Sequence, residues 1–212
     1  AKMHEFTKNM KIKRQNDLSV NSWRGLFESV KDECSKLHKD LPKLIGESLD
    51  NVEKNWPEDL PKGIIHADLF HDNIFFDKDN FSGIIDFYFS CEDFFAFEIA
   101  ICFNALCFDG AKENLSFNVT KAKNFIDGYS SIRKLSNLEK QSIKVLSQGA
   151  ALRFLLTRVF DALNTVEGAI VKVKDPIEYF DVKIILFERG KSKFIHYVSV
   201  SVQLRQQVER RM

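Results

Sequence analysis

Apolar positions recur at intervals of three and four through the first part of the chain. Trp23, Leu26, Phe27, Val30, Cys34 and Leu37 share one helical face, and Asn21 or Ser22 is placed to cap that helix. Before it, residues 1 to 10 read as a short helix and Lys11 to Asn16 as a polar connector. Pro42 opens a further helix through Leu44, Ile45, Leu49 and Val52, which closes near Trp56-Pro57.

The period then changes. Gly63 to His66, Asn73 to Phe76 and Ser82 to Phe87 are short runs of β-branched or aromatic residues bounded by Asp, Asn, Lys or Gly. They predict short strands, with Asp77 to Asn80 as a hairpin turn. From Asp93 the pattern is helical again. Phe94 to Phe108 is apolar almost all round and predicts a buried helix. Val119 to Tyr129, Asn137 to Leu146 and Gly149 to Leu163 predict three more helices, the last carrying Arg153, Thr157 and Asp161 on one stripe. Helices on both sides of a small β region that bears the polar residues predict an α+β fold, mainly helical.

Composition narrows the function classes. Hydrophobic residues make up 44% and charged residues 29%, with 31 basic against 30 acidic side chains, and no basic stripe suited to nucleic acid. The longest apolar run is broken by Glu98 and Asn104 and is too short to span a bilayer, so neither nucleic acid nor membrane is an expected partner. Cys34, Cys91, Cys102 and Cys107 form no CxxC pair, and reduced, buried thiols in a cytoplasmic protein are expected. His4, His38 and His196 have no partner at metal-ligand spacing and are expected at the surface, and His71 is expected to face solvent.

The chemistry concentrates in His66-Ala67-Asp68-Leu69-Phe70-His71-Asp72-Asn73 and Ile84-Ile85-Asp86-Phe87. Phosphoryl transfer to an alcohol needs a carboxylate beside the hydroxyl and oxygen ligands that hold magnesium against a triphosphate. The spacing puts Asp68 and Asn73 on one loop between two strands, and a hairpin returns Asp86 beside Asn73. Asp68 is therefore the candidate base, and Asn73 and Asp86 the candidate metal ligands. His66 is expected to orient backbone around Asp86. Arg153 either pairs internally, for example with Asp161, or receives the acceptor's carboxylate; Arg158 is expected to be structural, with Asp161 three residues on.

HxDxxxxN followed by a strand ending in Asp-Phe resembles the catalytic loop and metal-binding Asp of protein-kinase-like phosphotransferases, in their aminoglycoside-phosphotransferase and choline-kinase branch. Gly63 to Phe70, Gly83 to Phe89, Ile99 to Ala105, Gly149 to Arg158 and Lys174 to Tyr179 are similar to bacterial homoserine kinases of that fold. The resemblance covers roughly residues 1 to 190 and implies ATP and Mg2+ as cofactors, a small alcohol such as homoserine as acceptor, and a role in threonine biosynthesis. It also brings Glu98 into view as a substrate-site candidate. Such kinases usually have Pro where His71 stands and Asp where Glu98 stands. Aminoglycoside or choline acceptors, a non-catalytic remnant and a metal-dependent hydrolase are the alternatives; the hydrolase would need a second histidine cluster.

Family members also carry a nucleotide-covering loop and a phosphate-binding lysine. No Gly-rich loop or room for five strands precedes His66, so the chain is expected to be the C-terminal lobe, with an exposed lobe interface that invites self-association. Residues 191 to 212, in which Phe194 to Gln203 alternates like a strand, form an atypical tail.

Overall fold

The computed structural model describes residues 1–11, 14–110, 114–165 and 174–177. The expected tail, with His196, lies outside the described residues. Among the described residues the helices are α1 (Lys2–Thr7), α2 (Val20–Val30), α3 (Leu41–Asn55), α4 (Phe95–Leu106), α5 (Val119–Ser130) and α6 (Asn137–Asn164). Between α3 and α4 lie β1 (Lys62–Ile65), β2 (Ile74–Asp77), β3 (Asn80–Ile84) and β4 (Cys91–Phe94); β5 (Phe108–Asp109) and β6 (Ser116–Phe117) follow α4. The architecture is the expected α+β one. No helix among the described residues is long and apolar enough to cross a membrane.

The core forms where α6 packs against α4, α2 and α3. Each helix contributes the face its sequence period prescribes: Trp23, Phe27 and Val30 from α2, and Leu41, Ile45, Leu49 and Val52 from α3, are all buried. Helix α4 is buried along nearly its whole length, from Phe95 to Asn104. All four cysteines are buried free thiols. Burial pushes Cys91 up to about 12 and Cys107 up to about 11, so neither is a ready nucleophile.

Five expectations need correction. Helix α2 starts earlier, with Ser19 at its N-cap, and ends at Val30; Cys34 belongs to a separate 3₁₀ turn, Cys34–Lys36. The two helices expected on either side of Leu146-Gly149 are one, α6, because Gly149 is not a break. A Cβ there would sit 2.3 Å from the Trp56 ring and 2.9 Å from Trp23, so the missing side chain is what lets two tryptophans pack on the helix. The helix begins at a capping box: Ser136 Oγ accepts from Glu139 N at 3.1 Å and Glu139 Oε2 accepts from Ser136 N at 2.8 Å.

His4 is the third correction, for it is buried. Its Nδ1 lies 2.7 Å from the Tyr129 hydroxyl, and its ring stacks on Phe95 at 4.6 Å. Burial lowers its pKa to about 3. The fourth is β4, which the sequence pattern did not reveal. It pairs antiparallel with β1, with Gly63 opposite Asp93 and Ile65 opposite Cys91. The hairpin β2–β3 is present, but its second strand, Asn80–Ile84, starts and ends earlier than the expected Ser82 to Phe87, with Lys78 at its turn in a left-handed conformation and Phe87 in a 3₁₀ turn, Phe87–Phe89. Its face is apolar and open: Phe75, Phe76 and Phe81, with Phe87, Tyr88 and Phe89 just beyond, are all exposed.

Candidate active site

Strand β1 delivers the chain into a loop, residues 66–73, that crosses to β2. The loop starts with an unfavourable step. Ala67 has φ 65, a left-handed conformation that costs a non-glycine residue roughly 1 kcal/mol or more. Two buried charged side chains hold that peptide. Glu98, near the start of α4, accepts with Oε2 from the backbone N–H groups of His66 and Ala67, the latter at 3.0 Å. From the other side Arg153 of α6 donates Nη1 to the Ala67 carbonyl oxygen at 2.5 Å, its guanidinium 4.3 Å over the Phe154 ring. Both side chains are 3% exposed. Burial pushes the Glu98 carboxyl upward, while the two backbone donors, His66 and Arg153 work in the opposite direction.

His66 joins the two halves of the site. Its Nε2 lies 2.8 Å from the Ile85 carbonyl oxygen, and its Nδ1 accepts from Asp68 N at 3.3 Å. This pair of contacts requires the proton on Nε2. Asn73 ends the loop in a short 3₁₀ turn, His71–Asn73. Its Nδ2 donates to the Asp68 carbonyl oxygen at 2.8 Å, and its own carbonyl accepts from Ile85 N at 3.1 Å. Ile74 pairs with Ile84 across the hairpin, so Asn73 and Asp86 leave the same end of β2–β3. Asp86 lies two residues past β3, in a left-handed conformation (φ 62, ψ 63), and its Oδ1 accepts from Tyr88 N at 3.4 Å.

Backbone contacts through His66 and Asn73 thus link the segments that carry Asp68, Asn73 and Asp86. Burial raises the Asp68 pKa, opposed by Arg153, Lys174 and His66, while Asp72 reinforces the rise. Asn73 commits its amide nitrogen to the loop, which leaves its oxygen for a ligand. Asp86 is exposed. One amide oxygen and one carboxylate suit a small hard cation that takes its remaining ligands from phosphate and water, as Mg2+ commonly does. No group of three or more His, Cys, Asp or Glu among the described residues could hold a metal ion unaided.

Three expectations come out differently. Glu98, a substrate-site candidate, lies beneath the loop and binds its backbone. Arg153 reaches Ala67, not Asp161; the Asp161 carboxyl is raised by burial alone. Arg158 is structural as expected, but through the Asp175 carbonyl oxygen at 3.1 Å. His71 is exposed, as expected. Lys174 was not foreseen in the site: it lies 3.2 Å from Asp72 Oδ2 and 5.4 Å over the Phe70 ring. The resemblance over Lys174 to Tyr179 marked the segment but not its place beside the loop, since Lys174 and Asp72 stand 102 positions apart in the chain.

A family model described as phosphotransferase enzyme family (APH) matches residues 1–133. The homoserine kinase of Rhodospirillum rubrum is 50% identical over 167 residues, covering 79% of this chain and 51% of that protein. The homoserine kinase of Nitrobacter hamburgensis is 46% identical over 197 residues, covering 93% of this chain and 59% of that protein. That of Agrobacterium fabrum is 47% identical over 181 residues, covering 84% and 55%. The chain thus spans between half and three-fifths of the length of these curated relatives. Among solved structures, choline kinase from Cryptosporidium parvum Iowa II has the same fold: its TM-score is 0.56 at 17% identity, over 97% of this chain and 64% of that one.

Proposed function

Since the chain belongs to the APH phosphotransferase enzyme family, we propose that it carries the catalytic apparatus of an ATP- and Mg2+-dependent kinase whose acceptor is the side-chain hydroxyl of L-homoserine. The observation that supports this most directly is the joining of Asp68, Asn73 and Asp86 through His66 and the Asn73 amide. The identity to homoserine kinases favours the acceptor.

In this reading Asp68 accepts a hydrogen bond from the acceptor hydroxyl. The hydroxyl oxygen forms a bond to the γ-phosphorus of ATP as the bond from that phosphorus to the bridging oxygen breaks. ADP leaves, and the hydroxyl proton goes to an Asp68 oxygen. Partial burial raises the Asp68 pKa and suits it to take that proton, while Arg153 and Lys174 work in the opposite direction. Asn73 Oδ1 and the Asp86 carboxylate would hold Mg2+, which supplies positive charge to the triphosphate. Glu98 and Arg153 work one step back, fixing the Ala67 peptide on which the position of Asp68 depends.

The test is ADP release with L-homoserine, choline and kanamycin in parallel, using this chain alone and together with the portion of a curated relative that it does not span. Release that depends on homoserine and is lost on Asp68→Asn, by ~10²-fold or more, is the expected result. Release with choline or kanamycin but not homoserine would move the assignment to another acceptor.

A further inference from the structure

The segment that carries Lys174 is fixed beside the catalytic loop. Arg158 of α6 binds the Asp175 carbonyl oxygen, Ile177 N donates to Asp175 Oδ1 at 2.8 Å, Pro176 is buried, and Ile177 packs on the core. This anchoring presents Lys174 Nζ 3.2 Å from Asp72 Oδ2, on the residue next to Asn73. The two side chains are 58% and 64% exposed. An open pair of this kind is weakly held, so a ligand can part it at little cost.

We propose that Lys174 and Asp72 form the recognition site for the charged end of a zwitterionic amino-acid acceptor. Lys174 takes the α-carboxylate and Asp72 the α-ammonium, while the side-chain hydroxyl extends toward Asp68. The inference rests on the reading of the chain as a kinase acting on a homoserine-like amino acid, and it says what in the site selects that class. Opposite charges one ion-pair length apart match a zwitterion at both ends. A transferring phosphoryl group would find Lys174 favourable and Asp72 repulsive. Choline has no anionic end for Lys174, and a polycationic aminoglycoside would be repelled by it. Phe70, beneath Lys174, gives the lysine stem an apolar seat and limits where the ammonium can go.

Three ligands separate the two halves of the site: L-homoserine, 3-aminopropan-1-ol, which lacks the carboxylate, and 4-hydroxybutanoate, which lacks the amine. Their Kd values are measured by NMR titration on the full chain, on Lys174→Met and on Asp72→Asn, with amide spectra as the check on folding. Lys174→Met keeps the stem over Phe70 and removes the charge. It should weaken L-homoserine and 4-hydroxybutanoate about tenfold and leave 3-aminopropan-1-ol within about a factor of two. Asp72→Asn should do the converse, weakening L-homoserine and 3-aminopropan-1-ol and sparing 4-hydroxybutanoate. Equal losses for all three ligands, or none in either variant, would overturn the assignment and leave the kinase reading standing. Absence of binding by all three to the unsubstituted chain at millimolar concentration would also overturn it; the kinase reading itself fails only if homoserine-dependent ADP release is missing as well.

Discussion

Glu98 shows how much one side chain can carry without facing the reaction. It accepts from two consecutive backbone N–H groups of the catalytic loop, and both donors are buried with it. Glu98→Ala would leave them unpartnered, at about 1–3 kcal/mol each. Glu98→Gln keeps an oxygen at the same reach that can accept both. Hydrogen exchange at His66 and Ala67 should therefore quicken by roughly 10-fold or more in the alanine variant and stay near the original rate with glutamine. Exchange quickened equally in both variants would show that the charge, not the acceptor geometry, holds the loop. Asp68, Asn73 and Asp86 were legible in the sequence because loop and hairpin set their separation within a short span of chain. The role of Glu98 was not, because it acts on main-chain groups of residues more than thirty positions away, and Ala67 gives no compositional sign of its left-handed backbone.

At the scale of elements, helix period was a good guide and glycine was not. The buried faces of α2, α3 and α4 followed from spacing, whereas Gly149 suggested an interruption in what is one helix. Its reason lies in two tryptophans from elsewhere in the chain. Gly149→Ala makes this measurable. Alanine gains up to about 1 kcal/mol in helix propensity, but its methyl group would meet the Trp56 ring at 2.3 Å, and overpacking typically costs about 1–3 kcal/mol. The expected outcome is a lower Tm, restored in part by Trp56→Phe, since the atoms in the way belong to the benzo ring of the indole. A higher Tm for Gly149→Ala alone would mean that the tryptophans repack freely. Strand β4 escaped notice for a related reason: Cys91-Glu92-Asp93-Phe94 has no alternation, and it is a strand because β1 lies beside it.

For the molecule as a whole, His4 ties α1 to α4 and α5 through Phe95 and Tyr129, and this fixes how stability responds to acid. Its pKa falls from 6.5 to about 3 on folding, mainly through burial. Above pH 6.5 it is neutral in both states and the full stability is present. Below that, the unfolded chain takes a proton that the folded chain refuses, so stability falls as pH drops toward 3. Between pH 7 and 5 this amounts to about 2 kcal/mol. Urea unfolding at both values should show that loss in the original chain and a smaller one in His4→Gln, while matching slopes would remove His4 as the cause.

The bracing of the Ala67 peptide from both sides has a consequence for transplantation. Residues 66–86 hold all three proposed reacting and metal-binding groups in one short stretch, which makes them look portable. Grafted into another scaffold, that stretch would arrive without the acid and the guanidinium that meet on a single residue, Ala67, from two different helices. The left-handed turn at Ala67 would then relax toward an ordinary backbone, and Asp68 would rotate away with it. What must be moved is the loop together with the buried acceptor and the buried guanidinium that hold Ala67, so the smallest transferable unit of this chemistry is three-dimensional and cannot be cut out as a segment.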